Sequence, residues 1–181
     1  MLKPNPLKFI NVLAIFIVIV TCSLKAAAQT SIDSLPIRNL SHPEGNTFAS
    51  GQPTKEEFSS LAELGIKHII NLRPAEEQSW NEGEYVEALG MKYHSIPVAG
   101  AAGITKENAL LFAATLKEIG GAPTLVHCAS GNRIGALIAL RQGLLEGKDI
   151  ETAVNHGKLW GLTRLEPLVR EMLSKSLLRP L

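Results

Sequence analysis

The chain has 181 residues, with 18 Lys and Arg against 17 Asp and Glu and a formal net charge of +1. That balance argues against nucleic acid or an anionic membrane surface as a partner. No internal repeat or low-complexity segment interrupts the chain, and it has only two cysteines, Cys22 and Cys128.

The first segment carries Lys3 and Lys8, an apolar run from Phe9 to Val20 broken only by Asn11, and then Ala26-Ala27-Ala28. A basic stretch, a short apolar core and an Ala-x-Ala site predict a secretory signal peptide over residues 1–28. The run is short for a transmembrane helix. Cleavage after Ala28 would leave a chain starting at Gln29, long enough for one domain with a core. The product is expected to be periplasmic or secreted, without stable membrane association. Cleavage also removes Cys22 and leaves Cys128 as the single thiol, so no internal disulfide can form. A lone thiol in an oxidising compartment is a liability unless it has chemistry to perform.

Residues 29–45 are polar, contain Pro36 and Pro43, and read as a leader lying on the surface of a domain that spans 46–181. Phe48-Ala49-Ser50 predicts a short strand. Thr54 with Glu57 three residues on is a capping box, and Gly65 marks the end of the helix it starts. His68 to Leu72 is short and rich in isoleucine, which predicts a buried strand. A helix follows over Trp80 to Leu89, stopped by Gly90, and then a strand over Lys92 to Val98. Thr105 to Ile119 predicts an amphipathic helix with Leu110, Leu111, Ala114, Leu116 and Ile119 on its apolar face. Pro123 to His127 reads as a strand, and helices are expected over Ile134–Glu146, Ile150–Trp160 and Thr163–Leu177. Strands alternating with helices predict an α/β fold with a central, mostly parallel sheet and helices on both faces. Ligands of such sheets bind beyond the carboxyl ends of the strands, where Cys128 falls.

The stretch His127-Cys128-Ala129-Ser130-Gly131-Asn132-Arg133-Ile134-Gly135 joins a strand to a helix through a tight loop. Backbone N–H groups converge in such a loop and the helix dipole adds positive potential. Arg133 adds a planar fork of donors. A cysteine opening this loop is expected to exist largely as thiolate, the reactive form. Cys128 is therefore the candidate nucleophile and Arg133 the candidate oxyanion clamp, with Ala129, Ser130, Gly131, Asn132 and Ile134 around the bound anion. Gly131 is the residue to supply a positive φ. His127 has two open roles, orienting the loop or standing as a satisfied structural histidine.

The loop resembles the signature loop of the cysteine-dependent phosphatases, with four residues rather than five between Cys128 and Arg133. Four is the spacing of the rhodanese sulfurtransferases, whose smaller ring of amides holds the outer sulfur of a persulfide. Phe48-Ala49-Ser50-Gly51-Gln52-Pro53, Leu64-Gly65-Ile66-Lys67-His68-Ile69-Ile70-Asn71-Leu72-Arg73-Pro74, Tyr93-His94-Ser95-Ile96-Pro97-Val98 and the Cys128 loop follow one another. In that order they resemble a bacterial family called beta-lactamase hydrolase-like or protein tyrosine phosphatase-like, over roughly residues 46–145. The resemblance implies a dual-specificity-phosphatase-like fold and hydrolysis of a phosphate monoester, with phosphotyrosine one example. The implied partner is a small oxyanion or a phosphorylated substrate, and no cofactor is implied. The three helices after the loop match the phosphatase architecture better than the rhodanese one.

In the phosphatases an aspartate on a separate loop protonates the leaving oxygen. This chain has no aspartate between Asp33 and Asp149, and Pro97 to Gly103 offers no acid. Glu76, Glu77, His94 and Glu107 are the possible substitutes. A Ser or Thr usually follows the arginine to steady the thiolate; here Ile134 stands there, and Ser130 or Asn132 is the replacement to consider. Arg73 has two open places, in the same site or capping the sheet, and Gln52-Pro53 reads as a structural turn. Sulfur transfer needs no such acid, so a Cys128 persulfide is the alternative reading, and an oxyanion-binding module without turnover is a third. A metal is not expected, since one cysteine and scattered histidines make no ligand cluster.

Overall fold

The computed structural model describes residues 31–177; the expected signal peptide lies outside the described residues. Five strands form one sheet: β1 (Ser41–Glu44), β2 (Thr47–Ser50), β3 (His68–Asn71), β4 (Lys92–Ser95) and β5 (Thr124–His127). Their order is β1-β2-β5-β3-β4, antiparallel only between β1 and β2. The central β5 pairs on one side with β2, Thr47 opposite Thr124 and Ser50 opposite His127, and on the other with β3, His68 opposite Thr124 and Asn71 opposite His127. All four residues of β5 are buried, as a strand covered on both faces requires.

Six helices cover the sheet: α1 (Lys55–Glu63), α2 (Glu82–Ala88), α3 (Lys106–Ile119), α4 (Asn132–Leu140), α5 (Ile150–Leu159) and α6 (Glu166–Leu177). They divide the core in two. Phe58 and Leu61 of α1 and Val86 of α2 pack with Ile69 and Leu125 on one face. Phe112 of α3, Leu137 of α4, Val154 of α5 and Leu173 of α6 pack with Ile70 and Val126 on the other. Neighbouring residues of one strand thus serve opposite cores, which is the period-two alternation of a strand.

The capping box forms as expected: Thr54 Oγ1 accepts from the Glu57 N–H at 3.2 Å, and Glu57 Oε2 accepts from the Thr54 N–H at 2.7 Å. Gly65 and Gly120 take positive φ past the ends of their helices.

Three expectations are corrected. The leader is part of the fold: β1 forms the sheet edge, and Ile37 is buried in the α1–α2 core. The apolar face of α3 is rotated: Leu110 and Leu111 are half exposed and Ala109, Phe112 and Thr115 are buried, while Leu116 and Ile119 of the expected face still pack against the core. A phenylalanine and two small residues seat a helix more closely than a leucine pair would. The helix after the loop begins at Asn132, two residues before Ile134, and winds as a π-helix over Arg141–Leu145.

Candidate active site

β5 ends at His127 and hands the chain to Cys128 at the carboxyl edge of the sheet, where the Cys128 N–H donates to the Ser50 carbonyl at 3.4 Å. Gly131 turns with φ +86° and stands at the N-cap of α4. The positive φ aims its N–H inward, and it donates to Cys128 Sγ at 3.1 Å. A backbone amide thus takes the thiolate-steadying position considered for Ser130 or Asn132. The sulfur sits at the N-terminus of α4, and Cys128 is 1% exposed.

Arg133, in the first turn of α4, points back under the loop. Its Nη1 donates to the Val98 carbonyl at 2.8 Å and approaches the Leu72 carbonyl at 3.4 Å. Glu77 takes two more donors, Oε1 from Nη1 at 3.0 Å and Oε2 from Nη2 at 2.6 Å. Burial works against the guanidinium charge, but Glu77 and the Cys128 sulfur outweigh it and hold the group above its ordinary range. The Arg133 hydrogen bond, against a smaller effect of burial, keeps the Glu77 carboxyl below the usual carboxylate range. Glu77 is therefore a fixed anion and a poor proton donor.

The other expected residues divide. Ala129 and Ser130 line a hollow over the loop together with Gly100, Ala101, Asn132, Arg133, Arg164 and Leu165. The Asn132 side chain holds the next loop: its Oδ1 accepts from the N–H groups of Thr163, 2.8 Å, and Leu165, 3.4 Å. Ile134 is a correction, since its side chain lies in the core and its N–H donates to the Gly131 carbonyl. Neither end of Ile134 is available to a ligand. Arg73 lies between the alternatives, donating through Nη1 to Gln52 Oε1 at 2.5 Å and through Nη2 to the Glu77 carbonyl.

His127 is fully buried, and its Nε2 donates to Glu82 Oε1 at 2.8 Å. Glu82, 1% exposed, also accepts from Asn71 Nδ2 at 2.8 Å and from Gln52 Nε2 at 2.5 Å. Burial alone would push its carboxyl up; the hydrogen bonds from His127 and Gln52 win and hold it below the ordinary range.

None of the four substitute acids lines the hollow. Glu76 and Glu107 are exposed, and Glu77 is paired. His94 stacks on His68 with a ring nitrogen separation of 3.0 Å, and His68 stands opposite Thr124, at the strand ends away from Cys128. Two residues of the site were missed from sequence. Glu82 is one helical glutamate among several, and its burial has no local signal. Arg164 enters the hollow from the loop between α5 and α6, and no carboxylate pairs with it among the described residues. The helix expected from Thr163 begins at Glu166 instead, which leaves Arg164 in the loop; only Gly161-Leu162, between two expected helices, hinted at a break nearby.

A family model described as "Tyrosine phosphatase family" matches residues 34–150. A beta-lactamase hydrolase-like protein of Xylella fastidiosa is 36% identical over 123 residues, covering 64% of this chain and 28% of that protein. The chain thus spans little more than a quarter of that relative's length. An inositol diphosphatase of Arabidopsis thaliana, DSP3, is 30% identical over 108 residues, 57% of this chain and 53% of that one. Among solved structures, a provisionally assigned phosphatase of Neisseria meningitidis superposes with a TM-score of 0.60 at 27% identity, covering 75% of this chain and 96% of that one.

Proposed function

Given that the chain belongs to the tyrosine phosphatase family, we propose that it hydrolyses a phosphorylated substrate through a cysteinyl-phosphate formed on Cys128. The observation that carries this reading is the sulfur itself, set at the N-terminus of α4 with the Gly131 N–H at 3.1 Å and with Arg133 in the first turn of the same helix. The Cys128 thiolate attacks phosphorus, an S–P bond forms, and the bond to the leaving oxygen breaks with its electron pair. Loop amides and Arg133 hold the three remaining oxygens as charge builds on them. Water then attacks the same phosphorus, the S–P bond breaks, and phosphate leaves.

No acid lines the hollow among the described residues. Leaving groups that depart as stable anions, a phenolate or the phosphate of an anhydride, suit it best; an alkoxide would need a proton. An aryl phosphate and a phosphoanhydride are the substrates to compare with an alkyl phosphate. Turnover of the first two with little of the third supports the reading, and equal turnover of all three overturns it.

The four-residue span from Ala129 to Asn132 and the missing acid favour a second reading. Cys128 would attack the outer sulfur of thiosulfate, release sulfite and hold a persulfide that an acceptor such as cyanide removes. Thiosulfate–cyanide and aryl phosphate assays on one preparation separate the two.

Export belongs to the same proposal, supported by Lys3, Lys8, the apolar run and Ala26-Ala27-Ala28. Intact mass of envelope-fraction protein should give a chain starting at Gln29; a full-length, membrane-embedded chain would refute it.

A further inference from the structure

A continuous polar chain runs beneath the signature loop. His127 Nε2 donates to Glu82 Oε1 at 2.8 Å, and Gln52 Nε2 donates to Glu82 Oε2 at 2.5 Å. Gln52 Oε1 accepts from Arg73 Nη1 at 2.5 Å, and Arg73 Nη2 donates to the Glu77 carbonyl. Arg73 Nε has no hydrogen-bond partner among the described residues and lies 3.6 Å from Glu77 Oε2. That same oxygen accepts from Arg133 Nη2 at 2.6 Å. The chain begins on the residue before the nucleophile and ends on the arginine that closes the loop.

Glu82 is its centre, and stability alone does not explain it. A carboxylate this buried is costly to desolvate, and an apolar side chain of similar size often serves a core as well or better. The surrounding sequence is built to admit it. A Cβ on Gly83 would lie 2.9 Å from the Tyr93 ring, so glycine lets the first turn of α2 seat on Tyr93 and carry Glu82 inward. Asn71 Nδ2 then bridges Glu82 Oε1 and the Tyr93 hydroxyl, each at 2.8 Å.

His127 Nδ1 has no hydrogen-bond partner among the described residues. Two carboxylates, Glu82 and Glu77, and two guanidinium groups, Arg73 and Arg133, lie along the chain.

We propose that Glu82 is a positioning residue for the Cys128 chemistry. Through His127 it fixes the end of β5 that carries the thiolate. Through Gln52, Arg73 and Glu77 it sets the guanidinium of Arg133 at the base of the loop that carries that sulfur. The turnover part of this role rests on the phosphatase reading; the placement of the sulfur does not.

The sign of one shift separates positioning from charge. Removing an anion near a thiolate by itself favours the thiolate, which moves alkylation of Cys128 to lower pH. Loosening the amides and Arg133 moves it to higher pH. In a folded Glu82→Gln variant, the pH midpoint of iodoacetamide alkylation should rise by about one unit. On an aryl phosphate, kcat should fall roughly tenfold or more with KM changed less than about threefold. Glu82→Gln combined with Gln52→Glu returns a carboxylate one link along and should recover part of both. A midpoint that stays or falls in the folded protein overturns the proposal. Should Glu82→Gln fail to fold by circular dichroism, the partly buried Gln52→Leu cuts the same chain between Glu82 and Arg73, and an unmoved midpoint there overturns it too. Alkylation needs no turnover, so a wild-type protein inactive on aryl phosphates would sink the phosphatase reading while leaving this test decisive.

Discussion

Glu77 meets Arg133 with both carboxylate oxygens, at 3.0 and 2.6 Å, from a short turn 56 residues earlier in the chain. The pair ties the segment after β3 to the first turn of α4 across the floor of the loop. It orients the guanidinium before any anion arrives and removes Glu77 from acid duty. A planar, two-point pair is a geometry that only arginine supplies.

The pair should show in acid. Glu77 is depressed in the folded state, so its contribution to stability is present above its unfolded value and is lost as pH falls through the folded one. Melting temperatures of wild type and Glu77→Gln should differ by a constant amount at neutral pH. The gap should close below roughly pH 4, under the ordinary glutamate range. A gap that persists unchanged at lower pH would show that the charge is not what Glu77 contributes.

Arg164 should matter for binding rather than for the nucleophile. It stands in the hollow without a carboxylate partner among the described residues, on a loop that Asn132 holds through the N–H groups of Thr163 and Leu165. Arg164→Gln is expected to raise KM for a phosphorylated ligand about threefold to tenfold, near 1 kcal/mol for a screened charge. Its alkylation profile at Cys128 should stay unmoved. Asn132→Ala should lower stability by about 1–3 kcal/mol by orphaning two N–H groups and raise KM as well. Thermal melts and initial rates on one preparation check both.

Gly135→Ala should be among the most damaging single-methyl additions. A Cβ there would lie 2.2 Å from the Leu162 N and 2.4 Å from the Gly157 carbonyl oxygen, both backbone atoms. Helices α4 and α5 would have to separate, with a cost of about 3 kcal/mol or more. Urea unfolding measures it, and a loss under about 1 kcal/mol would mean that the helices part easily.

Loop length distinguishes the two chemistries. If four residues make the ring of amides too small for a phosphoryl group, one glycine inserted after Gly131 should raise aryl phosphate hydrolysis and depress sulfur transfer. Arg133→Lys should reduce hydrolysis in either loop, because an ammonium cannot match the fork. Cys128→Ser should abolish both reactions while oxyanion binding stays measurable. Efficient hydrolysis by the native loop, slowed by the insertion, would make the short loop a working cradle.

Elements governed by neighbours in sequence were legible. A capping box reaches three residues, a glycine past a helix acts on its own φ, and an isoleucine-rich run flanked by turns has few homes besides a central strand. The signature loop is legible for the same reason: Cys128, Gly131 and Arg133 are brought together by one turn and one helical start. The face of α3 was misread because leucine spacing alone does not say which of two overlapping stripes meets the sheet. Phe112 decided it.

The sequence by itself determined the alternation of strands and helices, the place of Cys128 at a strand's carboxyl end, and the positive φ of Gly131, all set by forces acting within a few residues. Only the tertiary structure decided that Arg133 meets Glu77, that His127 meets Glu82 across 45 residues, and that Arg164 overlooks the loop. Those pairings depend on which charges burial brings within hydrogen-bond reach. A buried charge must find a partner wherever the packed layers offer one, and a linear pattern carries no record of that search.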